Sequence, residues 1–414
     1  MFNCCDLFDK GIFSVWLITK NSTTSGQYRF VFHGKGWPFF KICLVNLILS
    51  IITLGIYLPW AFVRSRRYIY EHTELNGVRF GYNATGGVFF VSWLLIGVFM
   101  FLGTLVCAVI SPALTILPML VLMVLMPIMA VKGLRYQALM TTLNEVRFGF
   151  NCGSGQALWV MLGLPVLLGI AAVMVIMFTA KVMPDAETMT GLVVPIAILA
   201  LLTLVVIGVV NGIVYGKWMQ LLGNNATFGI HRFSVNISLK RSIVICIVSM
   251  LILIPFIFVI GSLMSSVVMT LMYTQAAGGM DESARLALLE GYQMQFIMSY
   301  LVYFGGLILM SVYIVAALRN QFINGLRLGE LLTFRSGITF FGLLMQILVL
   351  SIASSFTLGL AYPWAKMRLM RYMANNTWVE GDLDAVELKD TDEKLDTGFF
   401  SAIASGTTPA LPFI

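Results

Sequence analysis

The sequence predicts an all-α polytopic membrane protein: repeated transmembrane helix pairs joined by short cytoplasmic β-hairpins. Three observations predict it. First, 59% of the 414 residues are hydrophobic and 11% are charged. A soluble globular chain carries about a quarter charged residues, and one core cannot hide this much apolar surface, so lipid is the solvent for most of the length. Second, apolar stretches run over 42–63, 87–110, 113–131, 157–180, 189–215, 242–273, 296–317 and 340–365. Each is near or above the ~20 residues that a helix needs to cross ~30 Å of hydrocarbon. None alternates as the strands of a membrane barrel do. Third, Thr73-Glu-Leu-Asn-Gly-Val-Arg-Phe-Gly-Tyr-Asn83 returns as Thr141-Thr-Leu-Asn-Glu-Val-Arg-Phe-Gly-Phe-Asn151, identical at eight of eleven positions. Both copies lie in polar gaps between apolar stretches.

In chain order, residues 1–27 form an N-terminal extension. Asp6 and Asp9 stand where a secretory signal needs a basic start. Cys4 and Cys5 follow no lipoprotein-like cleavage signal. They read as incidental thiols, with acylation as the alternative. Residues 28–379 form the transmembrane domain, opened by Tyr28-Arg-Phe-Val-Phe32, half of a hairpin. Asn76-Gly77 between alternating apolar residues is a strong hairpin signal, because both central turn residues need positive φ. Asn144 marks the second copy, and Asn224-Asn-Ala-Thr-Phe-Gly229 reads as a weaker third. These hairpins are expected against the membrane surface, with Phe30, Phe80, Phe148 and Phe228 facing the helices or each other. Residues 380–414 form an acidic cytoplasmic tail, read as solvated, that either neutralises basic loops or meets a protein partner. Gly398-Phe-Phe-Ser-Ala-Ile403 within it resembles an interfacial segment.

The ends of the domain match each other. Thr53-Leu-Gly-Ile-Tyr-Leu-Pro-Trp-Ala61 pairs with Thr357-Leu-Gly-Leu-Ala-Tyr-Pro-Trp-Ala365, and the match runs on through Arg64/Arg368, Arg67/Arg371, Tyr68/Tyr372, Thr73/Thr377 and Gly77/Gly381. Single crossings would put the two copies on opposite faces, although both carry arginines that favour the cytoplasm. A re-entrant hairpin that turns near 53–55 and again near 357–359 removes the conflict. A simple span remains the alternative. With hairpins, six full spans separate cytoplasmic termini.

Charge assigns the sides. The gaps 64–86, 132–156, 216–241 and 318–339 hold fourteen Lys and Arg, and the alternate gaps hold only Lys181 and Arg285. The first set is cytoplasmic. The net charge of +7 is thus explained by retention beside helix ends, and nucleic acid is not an expected partner. Membrane phospholipids are. The sequence leaves the oligomeric state open.

The chemistry is sparse. Three His and six Cys show no metal-ligand spacing. GxxxxGK[ST], GxSxG and HExxH are all missing, so neither an enzyme nor a nucleotide-driven pump is expected, and no cofactor. No Asp, Glu, His or Arg lies within the apolar stretches away from their ends, which argues against a proton relay. Two sets of candidates remain. Arg64, Arg66, Arg67 and Trp60, with Arg368, Arg371 and Trp364, would meet lipid headgroups, although orientation and anchoring alone would also place them there. Asn211, Ser262, Ser266, Tyr300 and Tyr303 would line a pathway, or hydrogen-bond helices together. His33 and His231, where the other copies have Asn83 and Asn151, receive headgroups or cap turns.

Phe32-His-Gly34, the Thr-Leu-Gly-Ile-Tyr-Leu-Pro-Trp-Ala segment, the Arg-Phe-Gly-Tyr-Asn loop, Leu134–Thr141, Phe228–Phe233 and Leu411-Pro-Phe413 resemble the YjgN-like bacterial inner-membrane proteins, a family classed as a domain of unknown function. The resemblance covers about 28–414. It implies a multi-pass protein of the bacterial inner membrane and supplies no substrate. The expected function is transport of a small solute or lipid without nucleotide hydrolysis. The alternative is a lipid-binding, membrane-organising protein.

Overall fold

A computed structural model describes residues 26–182, 189–276, 290–383, 385–391 and 398–406. β1 (Gln27–Phe32) leads into α1 (Gly36–Ile52), which turns back as α2 (Leu58–Glu71). β2 (Thr73–Leu75) and β3 (Val78–Tyr82) join it to α3 (Gly86–Ile110), which returns through a 3-10 turn, Pro112–Ile116, as α4 (Leu117–Leu139). After β4 (Thr141–Leu143) and β5 (Val146–Phe150) come α5 (Ser154–Leu158), a π-turn over Trp159–Gly163, α6 (Leu164–Val182) and α7 (Met189–Asn225). β6 (Ala226–Phe228) and β7 (His231–Val235) lead to α8 (Leu239–Leu251), α9 (Ile254–Ala276) and α10 (Gln293–Gly325). β8 (Leu326–Leu328), β9 (Leu332–Ser336), α11 (Phe340–Phe356), α12 (Tyr362–Asn375), β10 (Thr377–Gly381) and α13 (Phe399–Ala404) complete the described elements. Two prolines mark breaks: Pro165 follows the π-turn and Pro255 follows the gap between α8 and α9, because a proline withdraws an N–H from the helical ladder.

Among the described residues, six helical segments are long and apolar enough to cross a bilayer. The first and last apolar stretches are not single spans. α1 and α2 form a helical hairpin, as do α11 and α12, and both ends of each reach the strands. At 14 and 17 residues, or about 21–25 Å at ~1.5 Å per residue, these arms fall short of a full crossing. The tips are alike. Leu54 and Leu358 take φ of 49° and 51°, and Gly55 and Gly359 both take 89°. Thr53 and Thr357 cap them, their Oγ1 accepting from Tyr57 N and Ala361 N. Leu54 is 94% exposed and Leu358 95%, which in lipid costs nothing.

The ten strands pair antiparallel into a closed ring in the order β1-β10-β9-β8-β7-β6-β5-β4-β3-β2. With three to six residues each, they make a collar on a helical protein, not a barrel domain. Asn76 (φ 50°) and Gly77 (φ 82°) form the first turn, Asn144 (51°) and Glu145 (66°) the second, as two-residue hairpins require. Each incoming helix runs about ten residues beyond its apolar stretch before its strand begins, a stalk of ~15 Å.

Candidate functional site: the interior of the strand ring

Every junction between an outgoing strand and its helix is tied to the next incoming helix. The backbone N–H of His33, Asn83, Asn151, Asn236 and Gly337 donates to the carbonyl of His72, Met140, Asn225, Gly325 and Asn376, at 2.8–3.0 Å. These contacts fix which residues correspond. His33 does correspond to Asn83 and Asn151, but His231 does not: Asn236 does. His33 pairs with Glu74 at 2.9 Å, and His231 Nε2 lies 3.2 Å from Glu387 O.

The same correspondence corrects the aromatic assignment. The pairs Phe30–Leu75, Phe80–Leu143, Phe148–Phe228, Phe233–Leu328 and Phe334–Val379 stand opposite one another across the strand ladders. Phe233 and Phe334 are therefore the counterparts of Phe80. Phe228 belongs to the partner position. These side chains pack together inside the ring: Phe80 stacks on Phe30 and on Phe148, both at 6.2 Å, and Phe148 meets Phe228 at 4.8 Å. They enclose a cavity of about 780 Å³ that reaches from the ring up between the stalks. That volume lies in the range of about 300–1,000 Å³ typical of small-molecule sites.

The position seven residues before each incoming strand is filled by Arg66, Leu134, Met219, Arg319 and Met370. Arg66 and Arg319 line the cavity. Arg319 donates to Thr377 Oγ1 at 3.2 Å, while its Nε is buried without an acceptor. Arg66 donates to Gln137 and sits 5.0 Å over the Phe62 ring. One residue further on, side chains tie the stalks to the next junction: Arg67 donates to Tyr82 O and Ala84 O, Arg371 to Gly34 O, Asn320 to Ile338 O and Gln220 to Ile237 O.

The proposed headgroup residues therefore separate. Arg67 and Arg371 are occupied by backbone carbonyls. Arg368 donates to Gln346 at 2.8 Å, and Arg64 is exposed. Trp60 lies against Gly86 and Trp364 against Gly36, so closely that a Cβ on either glycine would fall 2.4 or 2.2 Å from the indole. Both tryptophans also pack on aromatics, Trp60 on Phe90 and Trp364 on Phe40. Replacing Arg67 or Arg371 by leucine should leave junction carbonyls unpaired, lowering stability by about 1–3 kcal/mol each. Thermal unfolding in nanodiscs checks this, and an unchanged midpoint in both variants removes the stalk ties from the account.

The five pathway candidates are not brought into this cavity. Tyr300 is 63% and Tyr303 50% exposed on the outer face of α10. Ser262 and Ser266 are exposed on α9, with Ser262 donating to Val259 O. Asn211 is half-buried on α7. No group of three or more potential metal ligands occurs among the described residues.

The tail is not simply solvated. Glu380 and Gly381 belong to β10. The Trp378 indole N–H and Arg335 hold the Glu380 carboxyl below the usual carboxylate range, across the seam where β9, β10 and β1 meet. Leu383, Val386 and Leu388 then cover the mouth of the ring, with Val386 5% exposed. Arg147 donates to Asp390 at 2.8 Å and to Thr391 O. α13 docks on α3 and α4, where Lys132 Nζ donates to Ser401 Oγ and Trp93 Nε1 to Gly406 O.

Residues 27–399 match the family of bacterial proteins of unknown function DUF898. The chain belongs to the DUF898 family. It is 42% identical over 400 residues to the inner membrane protein YjgN of Salmonella typhimurium (strain LT2), covering 95% of this chain and 99% of that one. It is 38% identical over 389 residues to the inner membrane protein YjgN of Escherichia coli (strain K12), covering 94% and 97%. No solved structure matches. This DUF898 member is thus a multi-pass protein of the bacterial inner membrane, with six candidate spans among its described residues. The site residues most visible in the fold, Phe233, Phe334 and Arg319, have one signal in the sequence: constant spacing from each strand start.

Proposed function

We propose that this protein binds a lipid-type amphiphile in the ring cavity and moves it within or across the membrane without nucleotide hydrolysis. The observation that supports this is the ring of inward phenyl groups around about 780 Å³ of space. The phenyl groups offer a strongly hydrated solute no replacement for the water it would lose, whereas an acyl chain gains apolar contact. The ring face carries most of the Lys and Arg, so it reads as cytoplasmic. No step of this reading needs a catalytic group. Mass spectrometry of molecules copurifying in native-lipid nanodiscs tests it, with an unrelated inner-membrane protein as control. A specifically enriched amphiphile is expected. A profile identical to the control overturns the reading, and an enriched polar metabolite moves it to solute transport.

One observation favours the second reading, a lipid-organising protein without transport. The two half-depth hairpins are adjacent, since α12 packs on α1, and lipid must fill the space beyond their tips. Transfer of a labelled lipid between leaflets in reconstituted liposomes separates the readings: movement above protein-free liposomes supports transport, and its absence supports organisation.

A further inference from the structure

Resting on the reading of the ring as an amphiphile site, we infer that its ligand is anionic, and that its acid group sits between the stalks at Arg319 and Arg66. The stalks place both residues at the same level, seven residues before a strand. The ring order puts α2, which carries Arg66, and α10, which carries Arg319, on either side of α12. Both side chains line the one cavity, with Met370 of α12 at the corresponding position and also on its wall.

Among the described residues neither arginine has a counter-ion: ion pairs such as His33–Glu74, Arg147–Asp390 and Arg335–Glu380 include neither Arg66 nor Arg319. Their protein partners are neutral: Gln137, Thr377 and the Phe62 ring. A guanidinium cannot shed its charge, and burying one without an anion is costly. The orphaned Nε–H of Arg319 is the donor that a carboxylate or phosphate oxygen would satisfy, and guanidinium geometry suits both. The phenyl ring of side chains lies beyond, so one amphiphile would place its acid among the stalks and its chain towards the collar. The three other positions at this level, Leu134, Met219 and Met370, are apolar, which confines the charge to one side.

The test uses the full chain in phosphatidylcholine nanodiscs and a diazirine-labelled fatty acid, beside the fatty alcohol with the same chain and label. Peptides are read by mass spectrometry. Labelling of β5–β6 residues Phe148 and Phe228 is divided by labelling of the membrane-facing groove that includes Leu120, Leu167 and Met174, which reports simple partition. The acid is expected to give the higher ring-to-groove ratio, and Arg319→Gln to lower it by about tenfold to a hundredfold, the loss of one charge-assisted contact. Arg319→Lys keeps the charge and should fall less. If Arg319→Gln does not fold, the acid–alcohol comparison in the unaltered protein and Arg66→Gln decide. Equal ratios for acid and alcohol overturn the anionic assignment while leaving the ring as an amphiphile site. Ring labelling no higher than groove labelling for either molecule overturns the ring reading itself.

Discussion

Leucine in place of Gly212 should remove nearly all folded protein from the membrane. Gly208, Gly212 and Gly216 lie four residues apart on α7 and face α8. A Cβ at position 212 would stand 2.4 Å from Ile243 Cα and 2.8 Å from Ile243 N, and one at position 208 would stand 2.8 Å from Ile247 Cα. The opposing atoms are backbone and cannot rotate away. Lipid tails are as apolar as leucine, so helices in a bilayer associate through such close approach and not through hydrophobic exclusion. Overpacking costs about 1–3 kcal/mol where side chains can adjust. Here the whole of α8 must move, and with it the β7 strand of the ring. Against a total stability of about 5–15 kcal/mol, the protein should be lost as aggregate or degraded chain. Monodisperse yield after extraction and the unfolding midpoint check this, with Gly212→Ala as the milder step. Wild-type yield from the leucine variant would mean that α7 and α8 do not meet as closely as described.

Ending the chain at Asp382 should open the ring. The removed residues include Leu383, Val386 and Leu388 over the cavity and α13, whose Ala404 is fully buried. A cysteine placed at Phe148 should then react with a water-soluble maleimide faster by roughly tenfold or more, the factor that each ~1.4 kcal/mol of lost protection gives. Arg147→Ala makes the useful contrast. Its ion pair with Asp390 is largely exposed, with side-chain exposures of 35% and 43%, and exposed pairs contribute only about 0–1 kcal/mol. That variant alone should change the rate little. A truncated chain whose maleimide rate equals that of the full chain would show that the tail does not shield the interior.

The spans were legible because lipid demands long apolar runs, a signal too strong to miss over 87–110 or 296–317. The half-depth hairpins were legible through a contradiction: matching arginine-bearing copies at both ends should not face opposite sides. Hairpins one and two announced themselves through Asn76-Gly77 and Asn144. The fourth, Leu326–Ser336, has no Asn-Gly and turns through a three-residue loop with Gly329 at positive φ, so it read as an ordinary polar gap. The third misled by mimicry. Phe228-Gly229 copies Phe80-Gly81 in letters, but Gly229 is the turn and Phe228 the end of the incoming strand. The ring could not be read, because closure depends on pairings between residues as distant as Gln27 and Glu380. Without the ring, Arg319 looked like any basic residue at a helix end.

Four of the collar's hairpins are continuous chain, and the fifth is made from the two ends: β1 begins it and β10 completes it. Gly381 N donates to Gly26 O at 3.0 Å. During synthesis, then, the first strand waits for a partner made some 350 residues later. Until that strand leaves the ribosome the collar is a gapped arc, with an unpaired edge at either side of the gap. The last clasp also draws the two half-depth hairpins together. Completion of the polypeptide and closure of the collar are one event, and a chain released before residue 377 would keep an open edge that invites strand exchange with another copy.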